Sequence, residues 1–174
     1  MGVGEVHLGL GQLAMKAGDG APGVAHLERA REAFGRAGNR VGVARVLNLL
    51  GDIARFAGRT HEAADYYRAA HGLLEALGSW MAIVPEVNLG LLLLEEGRWA
   101  AARSALQPLL AELATHQATE VEACALAGIL VAASKLGDAG LVAEIRARLD
   151  GLLPQLQTRD PELVALLARA EAAG

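Results

Sequence analysis

The sequence predicts an all-α fold, a right-handed α-α superhelical solenoid of helical hairpins, and three observations carry that prediction. The first is composition. Across 174 residues the apolar fraction is 53% but aromatics make up only 3%, so Ala and Leu must fill the interior. Small and γ-branched residues favour helix, whereas strands favour β-branched and aromatic ones. The second is a repeat. Leu-Gly pairs stand at Leu10-Gly11, Leu50-Gly51 and Leu89-Gly90, and a further glycine follows seven residues after each, at Gly18, Gly58 and Gly97. Twelve residues after the first glycine comes a small residue (Gly23, Ala63, Ala102), and four further on a larger one (Leu27, Tyr67, Leu106). Three beyond that stand Ala30, Ala70 and Leu109, and Gly137-Asp138 continues the second-glycine series at spacings of 40, 39 and 40. The third is helical periodicity inside each unit, two helices per repeat.

Taken in order, Val3, Val6, Leu10 and Leu13 open a first helix near 3–17, apolar on a face that another helix should cover. That pattern predicts self-association through the N-terminal helix, or an upstream neighbour. A second helix follows near 22–37. Val46, Leu49, Leu50, Ile53 and Ala54 recur at three-and-four spacing in a helix over 41–57. Gly58-Arg59 stops it, and Thr60 is placed to cap the next helix, 60–77, which carries Ala63, Tyr66, Tyr67, Ala70 and Leu74. Pro85 falls within the apolar pattern of 80–96, so a bend or break is expected near 81–85, with a milder one at Pro108 inside 99–114. Thr119-Glu120-Val121-Glu122 reads as a capping box ahead of 120–136. A helix near 139–154 follows, and Asp160-Pro161 places an acid cap and a first-turn proline before 161–172. The small residues mark where paired helices cross closely, with Gly51 facing Ala63 and Gly90 facing Ala102. No linker interrupts the series. The expectation is one domain over 1–174, with units near 3–40, 41–79, 80–118 and 119–157 and a C-terminal helix at 161–172.

The run NLLGDIARFAGRTHEAADYYRAA, with its Leu-Gly, Gly-Arg, Ala, Tyr and Ala positions, resembles the tetratricopeptide repeat (TPR). Its unit is longer than the usual length of about 34 residues, as in the longer-helix variants of that family. HEAT and armadillo repeats share the period, but the two-residue Gly-Arg turn and the small-residue register favour the tetratricopeptide reading. More narrowly, NLGLLLLEEGRWAAARSAL, GDAGLVAEIRARLDGLL and DPELVALLARAEAAG look like the repeat region that follows the kinase domain in bacterial multidomain serine/threonine kinases. Related arrays occur in bacterial transcriptional activators. The resemblance implies a non-catalytic protein-protein interaction scaffold that binds a peptide or protein segment in a concave groove. The alternative is a regulatory or sensor fragment of such a kinase or activator, lacking the catalytic or DNA-binding domain. The chain shows no strand-borne glycine loop, Val-Ala-Ile-Lys, His-Arg-Asp or Asp-Phe-Gly.

Other functional classes lose support on composition and spacing. A net charge of −4 with acids and bases intermixed offers no footprint for nucleic acid. The apolar run from Ala123 to Ala133 is bounded by Glu122 and Lys135, and a membrane helix needs about 20 apolar residues. No membrane span is expected. The N-terminus lacks a secretory pattern and Cys124 is the one cysteine, which fits a cytoplasmic chain. His61-Glu62-Ala63-Ala64-Asp65 has Asp65 where a zinc motif needs its second histidine. The remaining histidines are dispersed, and Gly2 to Gly11 lacks the strand and spacing of a nucleotide loop. No enzyme activity, cofactor or metal is expected.

The residues left for binding are those that first helices do not spend on their hairpins. In the first repeat these are Glu5, Gln12 and Lys16, and in the second Arg45, Asn48, Asp52 and Arg55. The third supplies Asn88, Leu91 and Glu95, and the fourth Ser134 and Lys135. Asn48 and Asn88 stand out, because a side-chain amide can donate to and accept from a peptide backbone at once. The Lys/Asn/Arg set of carboxylate-clamp cochaperones is incomplete here, so chaperone-tail binding is not expected.

Overall fold

The structure, a computed structural model, describes residues 2–18, 20–156 and 161–173, and the side chain of Lys16 lies outside that description. The predicted helices are present as α1 (Val3–Lys16), α2 (Gly20–Arg36), α3 (Arg40–Phe56), α4 (Thr60–Glu75), α5 (Ile83–Glu95), α6 (Trp99–Leu106), α7 (Leu110–Thr115), α8 (Thr119–Leu136), α9 (Ala139–Leu152) and α10 (Pro161–Glu171). No strand occurs among the described residues. The fold is an all-α helical repeat.

The turns follow the glycines. Gly18, Gly58, Gly97 and Gly137, the series that ends the first helix of each repeat, all adopt positive φ between 70° and 79°. A second left-handed series ends the second helices: Gly38, Gly78 and then Gln117, at φ 67°, 61° and 52°. At 117 the repeat demands a conformation that costs a side chain about 1–2 kcal/mol, and the sequence has lost its glycine there.

The chain divides into two compact units, residues 1–86 and 87–174. In unit one, α1 packs on α2, α2 on α3 and α3 on α4. Leu8, Leu27, Ala30, Phe34, Val46 and Leu50 form one core cluster, and Ala44, Leu47, Ala70 and Leu74 another. The Phe34 ring fits because Gly4 and Gly42 leave room: a Cβ would stand 2.6 Å from the ring at Gly4 and 2.5 Å at Gly42. In unit two, α8 takes α6, α9 and α10 against it, and its residues 125–133 are all buried. That burial on several sides explains an apolar run without a polar stripe. Among the described residues no helix is long and apolar enough to cross a membrane.

The hairpin crossings differ from expectation in one respect. What lies nearest the Leu-Gly glycine is the larger residue sixteen positions on, rather than the small one at twelve. A Cβ on Gly11 would stand 2.7 Å from Leu27, on Gly51 2.5 Å from Tyr67, and on Gly90 2.5 Å from Leu106. The missing side chain makes a seat for a large one. In the first hairpin Gly23 approaches as well, its carbonyl 3.4 Å from a Cβ on Gly11.

Proline sets the local irregularities. The stretch before Pro85 is a 3-10 turn, Trp80–Ala82, after which α5 begins at Ile83. Pro85 then sits in a first helical turn, where a missing N–H costs nothing. A second 3-10 turn, Gln107–Leu109, holds Pro108 between α6 and α7. Two capping expectations fail. Thr60 is the first residue of α4, whose cap position is Arg59, without a side-chain cap bond. Thr119 likewise starts α8, and its hydroxyl donates to the Gln117 carbonyl at 3.2 Å, so no capping box forms. A hydroxyl one residue inside the helix cannot reach back to the open N–H groups that a cap serves. Asn39 and Asp138 do cap, accepting from Gly42 N at 2.8 Å and Leu141 N at 3.1 Å. Pro161 opens α10 as expected, while Asp160 lies outside the described residues.

Candidate functional site

In unit one the first helices α1 and α3 bring three of the anticipated residues to one cleft. Gln12, Arg45 and Asn48 line a cavity of about 180 Å³ with Ala44, Leu49, Leu74, Met81, Val84 and Pro85. The floor is apolar and the rim is polar. Gln12 and Arg45 are exposed and Asn48 half-buried. At the rim Arg45 Nη1 donates to Glu5 at 3.2 Å. Both side chains of that pair stay wet, so its hold on the arginine is weak.

Asp52 and Arg55 are drawn inward. Arg55 Nε donates to the Tyr67 hydroxyl at 3.3 Å, and that hydroxyl donates to Asp52 Oδ1 at 2.7 Å. The Arg55 guanidinium also lies 4.8 Å from the centre of the Phe56 ring. Burial of the phenol, and next the Asp52 carboxylate, push Tyr67 ionisation well above its ordinary range, against the opposing pull of Arg55. Two of the anticipated binding residues therefore hold a tyrosine in place. Tyr67 itself was legible as a packing residue, but its polar role was not. The signal was there: an acid and a base three apart, on the helix face that meets a large side chain with a hydroxyl.

In unit two the anticipated residues separate. Leu91 is 1% exposed and packs against Gly128, where a Cβ would stand 2.7 Å from it. It is core and offers no surface, because it occupies the repeat position of Asp52 on the face toward Leu106. Asn88 is only 9% exposed. Counted back from the hairpin glycine it matches Leu49 rather than Asn48, one residue and so about 100° round the helix from the Asn48 position. Glu95 is exposed and accepts from Arg169 Nη1 at 2.8 Å. Ser134 is half-buried and Lys135 exposed at the end of α8. Lys16 closes α1, and its side chain lies outside the description.

Several pairings were not foreseen. Glu122, buried on α8, accepts from Arg148 of α9 at 2.7 Å. Asp138 accepts from Arg103 at 3.2 Å. The Nδ1 atoms of His7 and His26 lie 3.0 Å apart across the first hairpin. A larger cavity of about 490 Å³ lies by the turns of unit one, with Met15, Ala21, Val24, Ile53 and Phe56 among its walls. Among the described residues no group of three or more His, Cys, Asp or Glu side chains is placed to hold a metal ion.

These hairpins, each with its seated large residue and its left-handed glycine, have a counterpart among known families. Residues 3–76 match the family model of the tetratricopeptide repeat. The match covers α1 to α4, which supply Gln12, Arg45 and Asn48 to the cleft, and ends before Met81, Val84 and Pro85 on its other side. Tetratricopeptide repeats generally mediate protein-protein interaction, and a protein partner is the class of ligand this similarity supports. No curated protein matches the chain.

Proposed function

We propose that the chain is a non-catalytic scaffold of tetratricopeptide type that holds a peptide or protein segment against its first helices. One observation supports this above the others. The cleft of unit one sets two amides, Gln12 and Asn48, and a cation, Arg45, around an apolar floor. Amides suit the donors and acceptors of a peptide backbone, and the floor suits one aliphatic side chain. At about 180 Å³ the cleft is smaller than the roughly 300–1,000 Å³ of small-molecule sites. Arg45 favours an acidic neighbour in the ligand. Glu95 and Lys135, exposed in unit two, are candidates for the same role there. The reading holds equally for a chain that acts alone and for a regulatory part of a kinase or activator.

Peptides selected from a random display library on the purified chain test it. They should bind an Arg45→Ala, Asn48→Ala variant about tenfold more weakly, the equivalent of roughly 1.4 kcal/mol. Helix content and melting temperature should hold, since Arg45 is exposed and Asn48 only half-buried. Selected peptides that bind the double variant as tightly as wild type would place the site elsewhere.

A further inference from the structure

Val3, Val6, Leu10 and Leu13 form a stripe along α1 and are 65%, 46%, 40% and 65% exposed. Their repeat counterparts forty residues on are Val43, Val46, Leu50 and Ile53. In α3 those four make the face that packs on α2. Val46 and Leu50 are buried in a cluster with Leu27, Ala30 and Phe34, and Val43 and Ile53 flank it. The α1 stripe therefore has the pattern of a helix-helix interface, and the described residues of this chain leave it uncovered.

We propose that this stripe is a dimer interface, in which α1 packs antiparallel on α1 of a second copy about a two-fold axis level with Leu8. The stripe is complementary to itself in that arrangement. Val3 opposes Leu13 of the second copy and Val6 opposes Leu10, so a smaller side chain meets a larger one at every step. Gly9 lies beside the crossing with open space where a Cβ would be, which lets the two backbones draw close. The four side chains expose on the order of 400 Å² per copy, about 800 Å² for the pair, the size of a weak, reversible dimer contact.

Among the described residues the rest of the surface gives the stripe no better match. The other large exposed apolar side chains, Phe56, Leu77, Trp80, Leu136 and Val164, stand singly on different elements. The exposed part of α9 carries Glu144, Arg146, Arg148 and Asp150, charges that an aliphatic stripe would strip of water. An isologous contact also closes at two copies, where a head-to-tail one would continue. Glu5 and Gln12 lie about 120° round α1 from the stripe. The dimer therefore leaves the cleft open, and the inference does not rest on the peptide-binding reading.

Sedimentation equilibrium on the purified full chain at tens of micromolar tests the proposal. Wild type should run at twice the mass of one chain, and Leu10→Glu and Leu13→Glu at the mass of one. Circular dichroism should show both variants fully helical, because the replaced side chains are exposed, and Val164→Glu should remain dimeric. In a Cys124→Ala background, a mixture of Val6→Cys and Leu10→Cys chains should form a disulfide-linked pair that neither forms alone. A wild type that is monomeric throughout overturns the proposal. So does a dimer that persists in both glutamate variants, or an open ladder of species that Val164→Glu removes. Val6→Cys chains that cross-link to each other overturn the antiparallel arrangement.

Discussion

In the second hairpin Gly51 lies under a tyrosine whose hydroxyl is shared by Asp52 and Arg55. In the third, Gly90 lies under Leu106, and the two matching positions hold Leu91 and Leu94, both buried. The backbone step is the same: a missing Cβ makes a seat, and a large side chain from the paired helix fills it. Only the chemistry around the seat changes. A seat therefore fixes volume and leaves polarity free, but the two fillings fail differently. The aliphatic one can shift by rotating a side chain. The polar one is pinned at both ends, and each of its groups depends on the others.

Adding the missing methyl should separate the two most. Gly51→Ala drives a Cβ against a ring held by two hydrogen bonds, and should cost about 3 kcal/mol in chemical denaturation. Gly90→Ala meets the tip of Leu106, which can swing aside, and should cost about 1–2 kcal/mol. Equal costs would mean that the hydrogen bonds do not fix the ring. Removing the hydroxyl comes next. Tyr67→Phe leaves Asp52 and Arg55 without their shared partner and should lose about 1–3 kcal/mol. The same variant should change the alkaline limb of stability. Because folding raises the Tyr67 ionisation, the neutral phenol stabilises the fold at every pH below the ordinary tyrosine value of about 10. Above that value the unfolded chain ionises first and the stabilisation is lost, a decline that should be shallower in Tyr67→Phe. The smallest effect should come from exchanging the whole set. Asp52→Leu, Arg55→Leu, Tyr67→Leu recreates the third hairpin's filling in the second and should melt within about 1 kcal/mol of wild type, because replacing a polar set together avoids stranded groups.

The helix pairs were legible because glycine spacing and aliphatic periodicity are local signals, and each helix end lies within a few residues of where the repeat puts it. The partners of individual side chains were less so. Asp52 and Arg55 read as surface on an amphipathic wheel, since a wheel records direction and not what the facing helix presents. Leu91 read as groove for the same reason, though its repeat position belongs to the hairpin seat. Thr60 and Thr119 read as caps one residue too late, because helix ends shift freely by a residue when backbone bonds alone satisfy them. The cleft was half legible: Gln12, Arg45 and Asn48 come together as expected, while Met81 and Val84 on its floor depend on a turn whose geometry periodicity does not encode.

That turn, Trp80–Ala82, also acts as a splice. Gly38 and Gly58 are 20 residues apart, Gly78 and Gly97 only 19, so the third repeat is one residue short. A 3-10 residue advances about 2.0 Å against about 1.5 Å in an α-helix, and three of them recover about 1.5 Å, the length of the residue that is missing. Rotation is recovered less completely: three residues at about 120° rather than 100° return about 60° of the 100° lost. In ideal helix geometry such a repeat keeps its span while its helix faces slip round by about 40°. Asn88 stands ten residues past Gly78, as Asn48 stands ten past Gly38, yet Asn88 is buried where Asn48 is half-buried. Packing positions on this scaffold carry from one repeat to the next when they are counted from the hairpin glycine, as the seats of Leu27, Tyr67 and Leu106 do.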